Sequence, residues 1–590
     1  VPPGRPSSEE VRRHLEAVLA SRSFASSERL QRFLRFVVGR ALDGDEREIK
    51  EYSIGVEVYD RGADFDPKAD ALVRTEAFRL RSKLKAYYDN EGAASPVRIE
   101  LPKGSYVPRF TAAADQSLEE ASIAVLPFAS FDKDVEREHF ADGLTEEIIH
   151  TLAGLGGLRV VARTTVFQFK GRPADVREIG ERLKVRTVLE GSVRRTADGV
   201  RVTAQLIDAA DGCHVWSKTF DRSVADAVRA QEDVAREVAD SLRLRFAASM
   251  GTLRPRRHTG NEEALRLYLR SRYLFRQWSP DSFQLGLGCL EQAVALDPGY
   301  AAAHAAVAEM LGLALYFGLA PPAAIDARLR QAAGSALALD PTSPEAHIAL
   351  GTVSAAMERG WSAAERHFQR ALEHAPGNVT AHSWYAYTVL LPLGRFDEAD
   401  EHMERALALD PLDPVTVLSV ANLLFWAGDY DTSFARYRDA LELDPNFAQT
   451  RWNLAYTEEF AGRAGEALAD YRRAVALFGE AAPPRLLADL ARLLAKDGAR
   501  EEALAIRDRL DKAGPSVYVP PSARAWIELG LGDTDAALAW LERAEQQRDL
   551  FAIWLTVDPR YGDIRDQPRL AALIERMHLG DRSSWADGGR

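Results

Sequence analysis

Cysteine is nearly absent, with two residues, Cys213 and Cys289, in a chain of 590. That excludes a disulfide framework, and their isolation excludes a CxxC-type zinc site, so the sequence suits a reducing compartment. Long apolar runs are equally scarce. The nearest approach, Tyr300–Ala320, is Ala-rich but broken by His304 and Glu309 and lies in register with helical repeats, which predicts a buried helix and not a membrane span. The opening VPPGRPSSEEVRRHLEA has no apolar signal core, and the polar linker TAAADQSLEEA at 111–121 offers no anchor. A cytoplasmic protein without a membrane partner is expected. In the segment 122–247, His139, His150 and His214 show no i, i+4 metal spacing, and neither a metal nor another cofactor is expected of the chain. Excess positive charge is absent overall, the formal net charge being −13.

What is present is length and an uneven distribution. A chain of 590 residues exceeds one hydrophobic core, which predicts several domains. Residues 1–115 hold 20 Lys and Arg against 19 Asp and Glu, and from Lys68 to Arg109 the balance is nine to five; the remainder carries 55 against 69. An acidic body with one local basic surface suits selective contact with a polyanion.

That basic surface lies on a predicted helix that opens the segment 68–110 and ends before a turn at Asn90–Gly92. At 100° per residue, Val73, Ala77, Leu80, Leu84 and Tyr87 form one apolar stripe. Arg74, Phe78, Arg81 and Lys85 line one flank, with Arg79 and Lys83 on the other. A helix with a buried face and cationic shoulders can lie in a DNA major groove between two phosphate backbones. A short β-ribbon follows, VRIEL and then PKGSYVPRF, with Gly104 permitting the bend and Lys103 and Arg109 placed to meet phosphate. The candidate DNA-binding residues are therefore Arg74, Arg79, Arg81, Lys83, Lys85, Lys103 and Arg109, and the expected partner is double-stranded DNA.

These residues also carry a resemblance. RTEAFRLRSKLKAYY and IELPKGSYVPRF resemble the C-terminal half of OmpR/PhoB-type winged-helix domains. SSERLQRFLRFVVGRAL and KEYSIGVEVYDRGADFDP resemble the version that heads multidomain bacterial regulators carrying tetratricopeptide repeats. The likeness covers residues 7–112 and implies a winged helix-turn-helix DNA-binding domain. The likeness is to the DNA-binding part of such regulators, and phosphoryl control through a receiver domain is not expected. Winged helices of this type act in pairs on half-sites, which implies a homodimer.

Residues 122–247 read as a small layered α/β unit. SIAVLPF (122–128) and LRVVART (158–164) are predicted strands. A helix capped by Asp142 or Thr145 follows the first, and a helix over 174–184 follows the second. An antiparallel meander comes next, broken by DG at 198–199 and 211–212, and a helix over 224–246 closes the unit. SIAVLPF, FADGLTEEII, VLEGSVRR and VRVTAQLIDAADG resemble the TolB-N/FlgO-like domain, which also follows some class III adenylate cyclase domains. A cyclase would need its own domain with two metal-binding aspartates between residues 112 and 122, where the chain has only a short linker. The glycines of GLGGL (154–158) follow a helix and precede a strand, the reverse of a phosphate-cradling loop. No catalytic residues are expected.

From residue 260 to 550 a repeat dominates. Gly360, Gly394, Gly428, Gly462, Gly498 and Gly532 recur at intervals of 34 or 36. Ala371, Ala406, Ala440 and Ala474 keep nearly the same period, as do Pro376, Pro411 and Pro445. Ala399, Ser433 and Ala467 stay small so that paired helices approach closely, while Phe368, Met403, Tyr437 and Tyr471 fill the neighbouring hole. This order identifies tetratricopeptide repeats and predicts eight helical pairs, the last two irregular, with an insertion around Leu319–Pro322 between Pro298 and Pro341. Residues 551–590 are expected to cap the open end. Trp384, Trp426 and Trp452 are expected in the core, and Arg451 and Asn453 are candidates for gripping a peptide. The groove is expected to hold a protein or peptide partner.

The combined expectation is a multidomain, mainly α protein: winged helix-turn-helix, small α/β domain, and α-solenoid of tetratricopeptide repeats. It acts as a DNA-binding transcriptional regulator and not as an enzyme. Two alternatives stay open: a non-catalytic interaction scaffold, and a nucleotide-signalling enzyme of adenylate cyclase type.

Overall fold

The computed structural model describes residues 8–579 except 26, 63–64, 66–71, 90, 93–94, 96, 103–104, 113–120, 131–134, 154–157, 173–174, 197–198, 223–232, 235, 239, 242–258, 276–279 and 515–516. The N-terminal unit contains α1 (Ser8–Leu19), α2 (Arg22–Ala25), α3 (Glu28–Leu42), α4 (Glu51–Glu57) and α5 (Leu72–Asp89). An antiparallel ribbon, β1 (Val97–Glu100) and β2 (Arg109–Ala112), follows, with Ile99 opposite Phe110. The apolar stripe of α5 is buried as its spacing predicts: Val73, Ala77, Leu80, Leu84 and Tyr87 share a core with Phe33, Val37 and Ile99.

The middle unit has strand order β5-β3-β6-β7-β8, with β4 beside β6. Here β3 is Ala121–Val125, β4 Ala129–Ser130, β5 Leu158–Val160, β6 Thr187–Thr196, β7 Gly199–Asp208 and β8 His214–Arg222. Strand β3 runs parallel to β5 and β6, and β6 to β8 form the expected meander. Two boundaries differ from expectation. Helix α6 spans Val135–Ala153, so Asp142 and Thr145 lie inside it and do not cap it. Asp142 instead accepts a hydrogen bond from Lys170 Nζ at 2.7 Å, and Thr145 Oγ1 accepts from the Phe128 amide at 3.0 Å. The second strand stops at Val160 because Arg163 begins α7 (Arg163–Phe167); α8 is Val176–Leu183. Most of the expected closing helix over 224–246 lies outside the described residues, as do Gly154, Gly156, Gly157 and Asp198; residues 233–234, 236–238 and 240–241 are helical.

Eight helical pairs follow among the described residues. They are α9 (Glu262–Phe275) with α10 (Pro280–Leu296), α11 (Ala301–Phe317) with α12 (Pro322–Leu339), and α13 (Pro344–Val353) with α14 (Trp361–His374). Next come α15 (Val379–Tyr385) with α16 (Phe396–Leu409), α17 (Pro414–Trp426) with α18 (Tyr430–Leu443), and α19 (Ala448–Phe460) with α20 (Ala464–Phe478). Then α21 (Pro484–Lys496) pairs with α22 (Arg500–Asp511), and α23 (Pro521–Leu531) with α24 (Thr534–Gln546). The periodic small and large residues are all fully buried: Ala399, Ser433 and Ala467 beside Phe368, Met403, Tyr437 and Tyr471.

The insertion is not where the sequence placed it. Residues 318–321 form a short turn, and the extra residues lengthen α11 and α12 to 17 and 18 residues, where α17 and α18 have 13 and 14. Gly360 also departs from the series. Gly394, Gly428, Gly462, Gly498 and Gly532 take positive φ, but there Arg359 does so instead, at +56°. A π turn at Ser354–Glu358 ends the preceding helix, as another at Ala386–Leu390 does in the next pair, where Gly394 keeps its positive φ. The expected cap does more than cover an end. After 3-10 turns at Leu550–Trp554 and Pro559–Ile564 and helix α25 (Pro568–Arg576), the chain has turned back against earlier repeats. Trp554 Nε1 donates to the Tyr387 carbonyl at 2.9 Å, and Trp361 Nε1 to that of Met577 at 3.1 Å. Residues 580–590 lie outside the described residues. No described helix is long and apolar enough to cross a membrane.

Candidate nucleic-acid interface

Five of the seven candidate cations stand on α5, and each has a partner within the chain. Arg74 pairs with Glu51 of α4 at 3.1 Å, inside the N-terminal unit. The other four reach the repeats. Arg79 Nε donates to the Ala427 carbonyl at 3.0 Å while its Nη1 pairs with Glu76 at 2.6 Å. Lys83 Nζ donates to the Ser23 carbonyl at 3.0 Å and lies 3.9 Å from Asp431. Lys85 pairs with Glu404, and Arg81 with Asp397.

Arg81 has the densest set of bonds. Its Nε donates to the Leu101 carbonyl at 3.0 Å and its Nη2 to those of Pro102 and Ser105 at 3.2 and 3.0 Å, so it also ties α5 to the connection between β1 and β2. Arg109 is exposed on β2, whereas Lys103 lies outside the described residues. The helix therefore brings Arg79, Arg81, Lys83 and Lys85 together on one surface; Arg74 faces α4, and Arg109 stands apart on the ribbon.

Phe78 accounts for the closeness of this contact. On the helical wheel it belongs to the cationic flank, yet it is 1% exposed and buries within the repeat core, its ring 6.2 Å from that of Phe396. Burying one such side chain contributes about 1.5–3 kcal/mol, more than the roughly 0–1 kcal/mol of an exposed ion pair such as Lys85–Glu404. Apolar burial holds the two surfaces together, and the ion pairs fix which residues meet.

The opposing surface is acidic. Helix α16 carries Asp397, Glu398, Asp400, Glu401 and Glu404 in its first three turns, and Asp429 at the N-cap of α18 and Asp431 in its first turn add to them. Burial raises the Asp429 carboxyl above its ordinary range, while its hydrogen bonds to Thr432 and the charge of Lys83 oppose that shift. These acids were missed in the sequence reading. Their signal was the run FDEADEHME, whose leading Phe faces Phe78.

The far end of the same helix holds the middle unit. The Ala162 amide donates to the Leu409 carbonyl at 2.7 Å, the Thr165 amide to Asp410 Oδ1 at 3.1 Å, and the Leu412 amide to Thr165 Oγ1 at 2.8 Å. Asp410 is 3% exposed, and burial, reinforced by Asp413, pushes its carboxyl well above the usual range. Helix α16 thus touches the basic helix with its first turns and the α/β sheet unit with its last.

The tryptophans expected in the core line a cavity as well. Trp452 is buried, Trp384 and Trp426 are half-buried, and all three border the concave side of the repeats. Arg451 does not grip this groove, being paired with Asp470 at 3.1 Å; Asn453 lines it and accepts from Gln449 at 3.3 Å.

Comparison with known proteins follows the same division. Residues 119–238, where the sequence resembles a TolB-N/FlgO-like domain, match the family described as HilA/YgeH-like transcriptional regulator, second domain. Residues 388–411, essentially α16 with the turn before it, match a tetratricopeptide repeat. A putative adenylate cyclase 3 of Rhizobium meliloti (strain 1021) is 37% identical over 241 residues, 40% of this chain and 41% of that protein, so the chain spans less than half of that relative. Among solved structures, the human IFIT1 dimer with m7Gppp-AAAA is 14% identical over 54% of this chain and 78% of its own, with a TM-score of 0.38. Pseudomonas aeruginosa pilF is 19% identical over 38% and 96%, with a TM-score of 0.25. The chain is thus similar to a transcriptional-regulator domain over residues 119–238 and to a tetratricopeptide repeat over 388–411.

Proposed function

We propose that the chain is a DNA-binding transcriptional regulator in which residues 7–112 form a winged helix-turn-helix. In this reading α5 is the major-groove helix and the β1–β2 ribbon the wing. The observation that carries it is the electrostatic complement: four cations of α5 face Asp397, Glu404, Asp431 and a backbone carbonyl, an anionic surface standing where phosphates would. The arrangement described is then the closed one. DNA and the repeats compete for one face of α5, and the repeats govern the output by holding or releasing it. The repeat groove takes a protein or peptide partner, a homodimer reads paired half-sites, and the middle unit, TolB-N/FlgO-like or HilA-like, braces the C-terminal end of α16. The chain performs no catalytic step of its own in this reading; the cyclase name belongs to a relative of which it spans less than half.

The burial of Phe78 favours a second reading, in which the N-terminal unit is a permanent packing module of a scaffold. Full-length D397N/E404Q separates the two. Removing two pairs worth up to about 1 kcal/mol each should tighten DNA binding by a few-fold to about thirtyfold. A charge-matched E373Q/E466Q control, altered at exposed acids away from α5, should match the wild type. DNA binding by neither protein at any salt concentration would leave the scaffold reading standing.

A further inference from the structure

The eight helical pairs curve around a cavity of about 1520 Å³, closed on one side by the C-terminal segment. Aromatic rings dominate its inner wall: Tyr316, Trp384, Trp426, Trp452, Phe551 and Trp554. They touch one another, with Tyr316 and Trp384 at 5.3 Å, Phe551 and Trp554 at 5.1 Å, and Trp426 stacked on Trp554 at 5.6 Å. Leu319, Leu477 and Val517 also border it and are among the large apolar side chains left exposed, at 41, 38 and 47%. Isolated exposed apolar side chains need no explanation, but three that border one aromatic cavity add to its apolar lining.

Five arginines line the cavity; Arg163, Arg272 and Arg328 pair with Glu146, Glu309 and Glu291, whereas the two beside the aromatic rings, Arg485 and Arg560, differ from each other. Arg560 lies between Asp489 and Asp558 at 3.5 and 3.3 Å; burial lowers its pKa, but those carboxylates outweigh it and hold the guanidinium charged. Arg485 is 7% exposed, and no carboxylate among the described residues pairs with it. Its Nη2 donates to the carbonyls of Tyr316 and Phe317 at 3.5 and 3.3 Å, and its guanidinium lies 3.7 Å from the Phe551 ring centre and 5.3 Å from that of Trp452. Asp549, the acid nearest in influence, accepts from the Ser522 and Phe551 amides instead. Burial accordingly pulls the Arg485 pKa down to about 10. Such a cation, held in an apolar wall without a counter-ion, is costly unless something anionic joins it. It stands in the first turn of α21, whose N-terminus, Pro483 and Pro484, also borders the cavity and has no side-chain cap, adding the positive end of the helix dipole.

We propose that this cavity binds a small amphipathic anion, a carboxylate, sulfonate or phosphate on an apolar or aromatic body, with Arg485 taking the anionic group and the rings taking the body. The remaining Nε–H and Nη1–H donors of Arg485 form no hydrogen bond among the described residues and supply the polar contact. The volume exceeds the roughly 300–1,000 Å³ of most small-molecule sites, so a multi-ring or branched body fits. The proposal does not depend on the DNA reading: it places a small anion at the Arg485 side of the groove that the proposed function gives to a protein or peptide, and its test measures small-ligand binding alone.

The full chain is titrated with the anionic dye 8-anilinonaphthalene-1-sulfonate and with neutral N-phenyl-1-naphthylamine, which keeps the rings without the sulfonate. Saturable sulfonate binding that quenches tryptophan fluorescence is expected, about tenfold or more tighter than the neutral dye. R485Q should lose about tenfold or more for the anionic dye and leave the neutral dye within about threefold, while R485K keeps most of the anionic affinity. If R485Q fails to fold, the wild type still decides: octanoate should displace the dye at about tenfold lower concentration than octanol. Equal displacement by the two, or unchanged sulfonate binding in folded R485Q, overturns the proposal.

Discussion

Arg81 and Lys85 lie one turn apart on α5 and look equivalent on a helical wheel, but they bear different loads. Arg81 gives hydrogen bonds to three carbonyls between Leu101 and Ser105 as well as its pair with Asp397, and its side chain is 11% exposed. Lys85 makes one pair with Glu404 and is 51% exposed. Replacing Arg81 by Ala leaves buried carbonyls without a donor, at a cost of about 1–3 kcal/mol, whereas Lys85→Ala should stay within about 0.5 kcal/mol. Hydrogen exchange of the full chain reads this directly: amides across 97–112 should exchange faster in R81A and be unchanged in K85A. Equal protection in both would show that Arg81 does not hold the ribbon. The wheel ranks neither residue because their partners lie 316 and 319 residues away in sequence. What was legible locally was the stripe, since Val73, Ala77, Leu80, Leu84 and Tyr87 answer to helical spacing alone. Phe78 was legible as an apolar residue among cations, and that mismatch was its signal.

Among the elements, consecutive repeats carry a second regularity that their glycine period does not reveal. His347 lies 3.1 Å from His367, and His382 2.8 Å from His402, at matching places on α13 to α16. His382 Nε2 also lies 3.0 Å from the Pro376 carbonyl, which can only accept, so Nε2 carries the proton and Nδ1 accepts from His402. The accepting ring, His382, is therefore neutral, and one ring of the His347–His367 pair must likewise accept through a neutral Nδ1. Burial is the main cause that lowers the pKa of His347, to about 4, and those of His367 and His382 below the ordinary 6.5. His367, Arg370 and His374 deepen the shift at His347, Arg366 acts on His367, and Arg405 on His382. A folded pKa below the unfolded one means the unfolded chain binds more protons. The stabilisation is thus full above about pH 6.5 and fades as pH falls toward about 4. Hydrogen exchange in 344–374 and 379–409, corrected for its intrinsic pH dependence, should show protection falling between pH 7 and 5, less steeply in H347Q/H382Q. An unchanged slope in that variant would remove the histidines as the cause. Periodicity located these helices because each repeat packs against its neighbours in the same way. It missed the π turns at 354–358 and 386–390 and the longer α11 and α12, because a recurring turn residue counts the repeat length and not how it divides between helices.

At the scale of the whole molecule, α16 is where the three units meet, with Asp397 and Glu404 on α5 and residues 409–412 on the middle unit. The repeats touch the basic helix directly and not through the middle unit. No local pattern could have anticipated this, because two amphipathic surfaces joined by a long chain have many possible partners and only packing selects one. The contact has a consequence for salt dependence under the proposed function. DNA binding by six to ten cations weakens steeply with salt through counter-ion release. The closed contact is partly ionic too, so salt also weakens the competitor that occupies α5. Apparent affinity is the intrinsic affinity multiplied by the fraction undocked, and that fraction rises as the ion pairs are screened. The two effects oppose each other in the wild type. In D397N/E404Q much of the ionic part of docking is gone and only the DNA term remains. A plot of log affinity against log salt, taken by fluorescence anisotropy from about 50 to 300 mM, should therefore be shallower for the wild type, and the two lines should converge at the high-salt end. Parallel lines with a constant offset would mean that the acids of α16 alter DNA binding through net charge alone. In that case the contact between α5 and the repeats would not compete with DNA.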